Sequence, residues 1–397
     1  MPPPTTSTSA AAGSLAPPTG DGRGQNGVPS ATFPATASRL VAWSLALSGL
    51  LADAILLVLH FSRRPYDADF RNFYATALLG RKAGWAHIYD IAAQARIADV
   101  IGPGHDWPYL NPPLLAWLAA PFTFLPYVPA ALLWSAVLIA LLGLALVAAR
   151  PGPRLPWYLA SIALAFPFLF GVEQGQVIAL LALSLVLCHR FDRSGHPFLA
   201  GAVLGLTLLK PHVVFLVPVV LLLAGRLRVF VAWTAICLVV AALTVTSLGV
   251  EGMAAWYQSV AAVRAQVPAP HFTLAFWLPG IPGLAAGAIV AAGTLAVAWR
   301  SRDESTARIL ALGVVGSALA SPYLNIQDLA LLVVAGWLLW QEINRAEKLL
   351  LGLGWIGVAA SAGTGLPVLA VESSWLASAV ARTASRTREG ALPASQR

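Results

Sequence analysis

From residue 40 to residue 381 the chain repeats one pattern, an apolar run followed by a short polar connection. The first run covers 40–61. From Ala130 onward the runs fall at 130–149, 156–172, 175–190, 197–210, 212–224, 229–249, 276–299, 307–320, 326–341 and 347–363, with a last one at 366–381. Crossing a hydrocarbon core ~30 Å thick takes about 20 apolar residues in a helix. A bilayer accepts only helices or closed barrels, and these runs are too long and too continuous for barrel strands. The pattern predicts an all-α polytopic membrane protein, a bundle of about 11–12 transmembrane helices.

The interruptions organise the rest. Residues 1–38 are rich in Pro, Ser, Thr, Ala and Gly without hydrophobic periodicity, and are expected to be a disordered tail. The apolar region begins too late and runs too long for a signal peptide, so 40–61 is read as a retained anchor. Asp53 inside it is expected to face the bundle, as a structural partner or a functional group. Residues 62–109 form the longest polar stretch, with short helices expected from Phe70 to Ala83 and from Ile91 to Val100. The apolar run 110–126 is too short for a full crossing and is read as a juxtamembrane or re-entrant helix. The expected organisation is a tail (1–38), a transmembrane domain (39–381, with 62–129 as its first loop and juxtamembrane helices) and a short basic tail (382–397).

Charge changes the picture in two ways. Only 11% of the 397 residues are charged and 58% are hydrophobic, against roughly 25% charged in a soluble chain. The net charge of +8 is not a nucleic-acid footprint, because it sits in connections between spans. Five connections carry two or more basic residues: Arg150 and Arg154; Arg190 and Arg193; Arg226 and Arg228; Arg300, Arg302 and Arg308; Arg345 and Lys348. They are alternate connections, so they share one face, which the positive-inside rule assigns to the cytoplasm. Arg63, Arg64, Arg71, Arg81, Lys82 and Arg96 in the first loop oppose the rule locally. Cys188 and Cys237 lie within apolar runs and read as small core residues rather than a disulfide or metal pair.

The opposite, extracytoplasmic face collects the polar clusters: Asp67-Ala68-Asp69-Phe70-Arg71-Asn72-Phe73-Tyr74, Asn111-Pro112-Pro113, Glu173-Gln174-Gly175-Gln176, Lys210-Pro211-His212, the 250–275 loop, and Tyr323-Leu324-Asn325-Ile326-Gln327-Asp328. Ionisable groups where spans meet water are functional candidates; loop and cap roles are the competing reading. No P-loop, dinucleotide fingerprint or zinc spacing is present.

At these residues the chain resembles glycosyltransferase family 87. The matching elements are Asp69-Phe70 with Tyr74; Ile88-Tyr89-Asp90; Asn111-Pro112-Pro113-Leu114 followed by Leu125-Pro126; and Ala131-Leu132-Leu133-Trp134. Gly175-Gln176 opening a span, Gly205-Leu206 with Leu209-Lys210-Pro211, and Ser321-Pro322-Tyr323 with Asp328 complete the likeness, which runs from about residue 40 to 340. Asn111 departs from it, since a tyrosine commonly precedes the Pro-Pro pair, and Tyr109 is expected to take over the packing role. The resemblance implies a GT-C-like membrane fold and the use of polyprenyl-phosphate sugars, typically mannose, to build glycans outside the cytoplasm.

It also implies roles. Asp69 aligns with the catalytic loop and is the expected general base. A carboxylate must take the proton of the attacking sugar hydroxyl, while a phosphate leaving group dispenses with the acid partner of glycosidases. Cations must hold the lipid phosphate: Lys210 and His212 first, Arg71 and Arg264 second, with snorkelling and headgroup contacts as the alternatives. Tyr74, Asn111, Glu173, Gln176, Tyr323, Gln327 and Asp328 are candidates for the sugar-binding surface, against helix capping and interhelical hydrogen bonding. Trp107 or Trp277 could stack on a sugar ring. No cofactor is expected, and an Asp67/Asp69 metal site is the alternative. The partners implied are a polyprenyl-phosphate sugar, a glycan or glycolipid acceptor and membrane lipids, in a plasma or inner membrane. A transporter or flippase of lipid-linked sugars, which would predict inverted repeats and interrupted midplane helices, and a glycan polymerase or ligase are the other classes.

Overall fold

The computed structural model describes residues 35–391 except 105–107, 265–269 and 362, and every element among them is helical. In chain order these are α1 (Ala35–Arg63), α2 (Phe70–Ala83), α3 (Ile91–Ile101), α4 (Pro113–Ala119), α5 (Tyr127–Ala149), α6 (Leu155–Ala163), α7 (Phe166–Glu173), α8 (Ile178–Arg193) and α9 (Pro197–Leu204). They continue with α10 (Leu216–Leu223), α11 (Leu227–Arg264), α12 (Leu274–Trp277), α13 (Ile281–Arg300), α14 (Thr306–Ala320), α15 (Ala330–Leu339), α16 (Arg345–Ala359) and α17 (Leu366–Ala391). The tail over 1–34 lies outside the described residues.

Helices α1, α5, α11 and α13 are each long and apolar enough to cross a membrane, and α6 with α7 makes a fifth if that pair is one span. The pair bends by 63°, just before Phe166-Pro167, where proline cannot extend the preceding helix. The remaining apolar runs form shorter or broken helices, so the expected 11–12 spans meet a bundle with few continuous ones. At its centre α14 is buried over nearly its whole length, the signature of a helix enclosed on all sides. α10, α13 and α15 pack around it. Broken helices expose backbone groups that lipid cannot satisfy, and the bundle supplies partners. The Leu216 N–H at the start of α10 donates to Ser317 Oγ of α14 at 3.0 Å.

The bundle has two unlike ends. At one, the basic connections converge. Arg226 pairs with Asp192 (3.7 Å) and donates to the Glu304 carbonyl (2.9 Å). Thr306 bonds Asp192, and Arg308 pairs with Glu304 (3.5 Å) and Glu347 (3.3 Å), which Arg382 also reaches at 2.5 Å. At the other end α2, α3 and α4 form a polar-edged layer. Asp90 caps α3 by accepting from the Ala93 N–H at 3.0 Å. The layer is stitched by hydroxyls: Tyr74 donates to the Leu125 carbonyl (2.8 Å), Tyr89 to that of Asn111 (2.7 Å) and Tyr109 to that of Pro112 (2.6 Å). Both ends of 110–126 are thus tied to this layer, and its helical part, Pro113–Phe124, is shorter than a membrane span. α11 breaks at Gly249 (φ 62°, ψ −173°). Its last turns lie on the same layer, with Trp256 donating to the Leu110 carbonyl at 3.3 Å and Ser259 to that of Tyr89 at 3.1 Å.

Candidate active site

Asp69 occupies the N-cap position of α2, yet its side chain caps nothing. Asp90, at the same position of α3, spends its carboxylate on the helix. Asp69 Oδ2 instead accepts from Gln176 Nε2, 107 residues away, at 2.5 Å. The other oxygen, Oδ1, makes no hydrogen bond among the described residues.

The backbone is built for this contact. Gly175 has φ +69°, a left-handed conformation that glycine adopts without strain, and a Cβ there would stand 2.6 Å from Phe70 Cβ and 3.2 Å from the Trp134 ring. Trp134 Nε1 donates to the Gly175 carbonyl at 2.8 Å. Gln174 seals the seam from the other side, accepting from the Asp69 N–H through Oε1 (3.2 Å) and from the Phe70 N–H through its carbonyl (3.0 Å). The start of α2 is therefore docked against the turn that opens α8.

Behind Gln176 stands Lys210, 3% exposed. It lies at a helix break, between 3-10 turns at Gly205–Leu209 and Pro211–Val213. Its ammonium donates to Gln176 Oε1 (3.1 Å) and to Asp328 Oδ1 (2.6 Å). An ammonium can only donate, so it fixes the Gln176 amide with oxygen toward lysine and nitrogen toward Asp69. Asp328, also buried, accepts from the Asn325 N–H at 2.8 Å, and Asn325 Oδ1 accepts from the Tyr323 hydroxyl at 2.9 Å. One chain of hydrogen bonds thus links the starts of α2, α8 and the 3-10 turn before α15 with the break after α9.

Burial raises the pKa of Asp69 above the usual carboxylate range; Gln176 and Lys210 oppose the rise and Asp328 adds to it. Burial, together with Asp328 and Asp69, also keeps the Tyr323 hydroxyl protonated. The site thus offers a partly buried carboxylate of raised basicity with one oxygen unengaged, near a tyrosine hydroxyl whose proton is held by Asn325.

The other expected residues are dispersed. His212 is exposed on the rim, its ring 6.3 Å from that of Tyr323. Lys210, expected at the phosphate, is committed to Asp328 and Gln176. Arg71, expected as a second phosphate holder, is buried and donates to the carbonyls of Ala98 (2.9 Å) and Gly102 (2.5 Å), so it staples α2 to the end of α3. Tyr74 is buried in the aromatic layer, and Asn111 serves that layer through its backbone carbonyl. Tyr109 is buried in the same layer, and its hydroxyl also accepts from the Ala116 N–H at 3.0 Å. Glu173 is half-buried at the end of α7, and Gln327 is buried with its Oε1 unbonded.

Asp67 is exposed, and no group of three or more metal-ligating side chains occurs among the described residues. The side chain of Arg264, and Trp107, lie outside the described residues; Trp277 is exposed and donates to the His271 carbonyl at 2.8 Å. Gln174 and Asn325 were not singled out from the sequence, although both stand inside quoted polar clusters.

Comparison with known proteins adds one finding. No curated protein and no solved structure matches the chain. The model of glycosyltransferase family 87 matches residues 109–322. That segment holds Gln176 and Lys210, and the hydrogen-bond chain joins it to Asp69 and Asp328 on its two flanks. The match spans more than half of the sequence, and with the apolar helices it makes the chain a member of glycosyltransferase family 87, a membrane glycosyltransferase.

Proposed function

We propose that this enzyme transfers a hexose, mannose by the family resemblance, from a polyprenyl-phosphate carrier to an extracytoplasmic glycan or glycolipid, with inversion at the anomeric carbon. Asp69 Oδ1 takes the proton of the acceptor hydroxyl as its oxygen attacks that carbon. The bond from the carbon to the phosphate oxygen breaks, its electron pair leaves with the phosphate, and the products are the glycosylated acceptor and the polyprenyl phosphate. Gln176 aims the carboxylate, and Lys210 and Asp328 hold Gln176. His212, exposed at the rim with its ring 6.3 Å from that of Tyr323, is the candidate partner of the leaving phosphate.

The observation that carries this reading is an N-terminal carboxylate excused from capping and oriented from three remote helix ends. Its position at the end of the bundle opposite the basic connections supports an extracytoplasmic site, where a donor dissolved in the bilayer is the natural supply. The test is sugar transfer by the purified protein in liposomes, offered mannose either on polyprenyl phosphate or on a nucleotide. Transfer from the lipid alone is expected; transfer from the nucleotide with the lipid donor inert would overturn it.

A further inference from the structure

Away from Asp69, between α6, α15, α16 and α17, lies a cavity of about 470 Å³ with an overwhelmingly apolar wall. Its size falls within the range of small-molecule sites, ~300–1,000 Å³. One flank is lateral. Leu349, Leu353 and Ile356 follow one another along α16 at helical spacing, and all three are exposed, so the cavity opens sideways from the bundle along that helix. At the end where α6 and α16 begin, its lining includes Arg154 and Lys348, with Trp157 and Trp340 beside them; the Lys348 ammonium lies 5.8 Å over the Trp340 ring. This is the end where the basic connections converge. Deeper in the wall, Glu372 and Trp375 are both more than nine-tenths buried, and Glu372 Oε1 and Trp375 Nε1 have no hydrogen-bond partner among the described residues.

An apolar volume of this size forfeits packing contacts if empty, and water is a poor filling for it. In a bilayer the material at its mouth is hydrocarbon chain. Two cations flanked by interfacial tryptophans select what that chain is attached to, because basic pockets between membrane helices hold anionic headgroups.

We propose that this cavity is a binding site for an anionic phospholipid, distinct from the site around Asp69. One acyl chain enters along α16, past the exposed Leu349, Leu353 and Ile356, and the phosphate rests on Arg154 and Lys348. The site is formed by α15–α17 and α6 together, so its occupant ties the last helices to the core of the bundle.

Gly336 supplies a clean probe. A Cβ there would meet only Leu351, at 3.6 Å, so Gly336→Leu puts a side chain into the cavity without a backbone clash. The experiment is native mass spectrometry of the full-length protein released from mild detergent, after equilibration with defined mixtures of phosphatidylglycerol, phosphatidylcholine and a polyprenyl phosphate. The wild type is expected to retain one phosphatidylglycerol in preference to phosphatidylcholine. The Arg154→Ala/Lys348→Ala double variant is expected to lose that preference by roughly tenfold or more, while Gly336→Leu retains neither phospholipid. Unfolding of each variant is followed in parallel, so that a collapsed protein is not scored as an empty site. Equal retention by all three proteins, retention without headgroup preference in the wild type, or retention of polyprenyl phosphate instead of phospholipid would each overturn the proposal.

Discussion

Lys210 illustrates how a single residue changes meaning between sequence and structure. A lysine at a span end reads as a phosphate holder or a snorkelling anchor, and only a fold that brings residues 34 and 118 positions away onto its ammonium reveals a positioning role. Breaking a buried ion pair by removing one partner strands the other charge and costs about 3–5 kcal/mol. Lys210→Met should therefore lower stability by about that much. Lys210→Met with Asp328→Asn should recover much of it, because the amide leaves no buried charge. The double variant should still transfer poorly, since nothing then fixes Gln176. Thermal unfolding in detergent beside a transfer assay checks both expectations; a Lys210→Met protein as stable as wild type would contradict them.

At the scale of elements, helix identity was legible and helix continuity only in part. The short helix predicted from Phe70 to Ala83 has those bounds, and the second runs one residue past Val100, because the cap at Asp90 and the breakers Gly84 and Gly102 are local signals. The break at Lys210 was legible, since one apolar run ends at 210 and the next begins at 212; the bend before Phe166 was hidden, since an apolar run reads alike whether its helix is whole or bent. The seam between α2 and α8 was half legible. Gly175-Gln176 stood out as a motif, but its cause, Phe70 Cβ at 2.6 Å from where a side chain would begin, is a contact across 105 positions. Gly175→Ala combines the left-handed penalty, roughly 1–2 kcal/mol, with that collision. Displacing both Asp69 and Gln176 should lower kcat on the order of a hundredfold. Steady-state kinetics checks this, and an alanine variant with wild-type kcat would show that the close approach is dispensable.

For the whole molecule, the spacing of the basic connections foretold two unlike ends, and their convergence away from Asp69 is the structural counterpart. What pattern alone could not supply is which polar clusters at the far end meet: Asp69, Gln176, Lys210 and Asp328 join, whereas Arg71, Tyr74 and Asn111 serve the α2–α4 layer. Exposed positions at both ends test the orientation. Leu227→Cys and Ala346→Cys at the basic end should resist an impermeant thiol reagent in intact cells, while Val100→Cys, on an exposed residue of α3, should react. Labelling of the first two with Val100→Cys protected would reverse the orientation and remove the case for a donor delivered by the bilayer.

The central claim is that Asp69 is the base, and its raised pKa fixes the sign of every pH effect. A carboxyl whose folded pKa lies above its unfolded value of ~3.9 contributes stability that is complete below that value and lost as pH rises through the folded pKa. At neutral pH the ionised form is a cost, so Asp69→Asn should fold at least as stably as wild type. Catalysis needs that ionised form, so the acid limb of kcat/KM should fall at a pH above the ordinary carboxylate range. The decisive measurement is the pH–rate profile of sugar transfer for wild type and Asp69→Asn, with donor binding measured on both. The account predicts that Asp69→Asn binds the lipid-linked donor normally, transfers ~10²–10⁴-fold more slowly and loses the acid limb. Near-normal transfer by Asp69→Asn, or an unchanged acid limb, would contradict it.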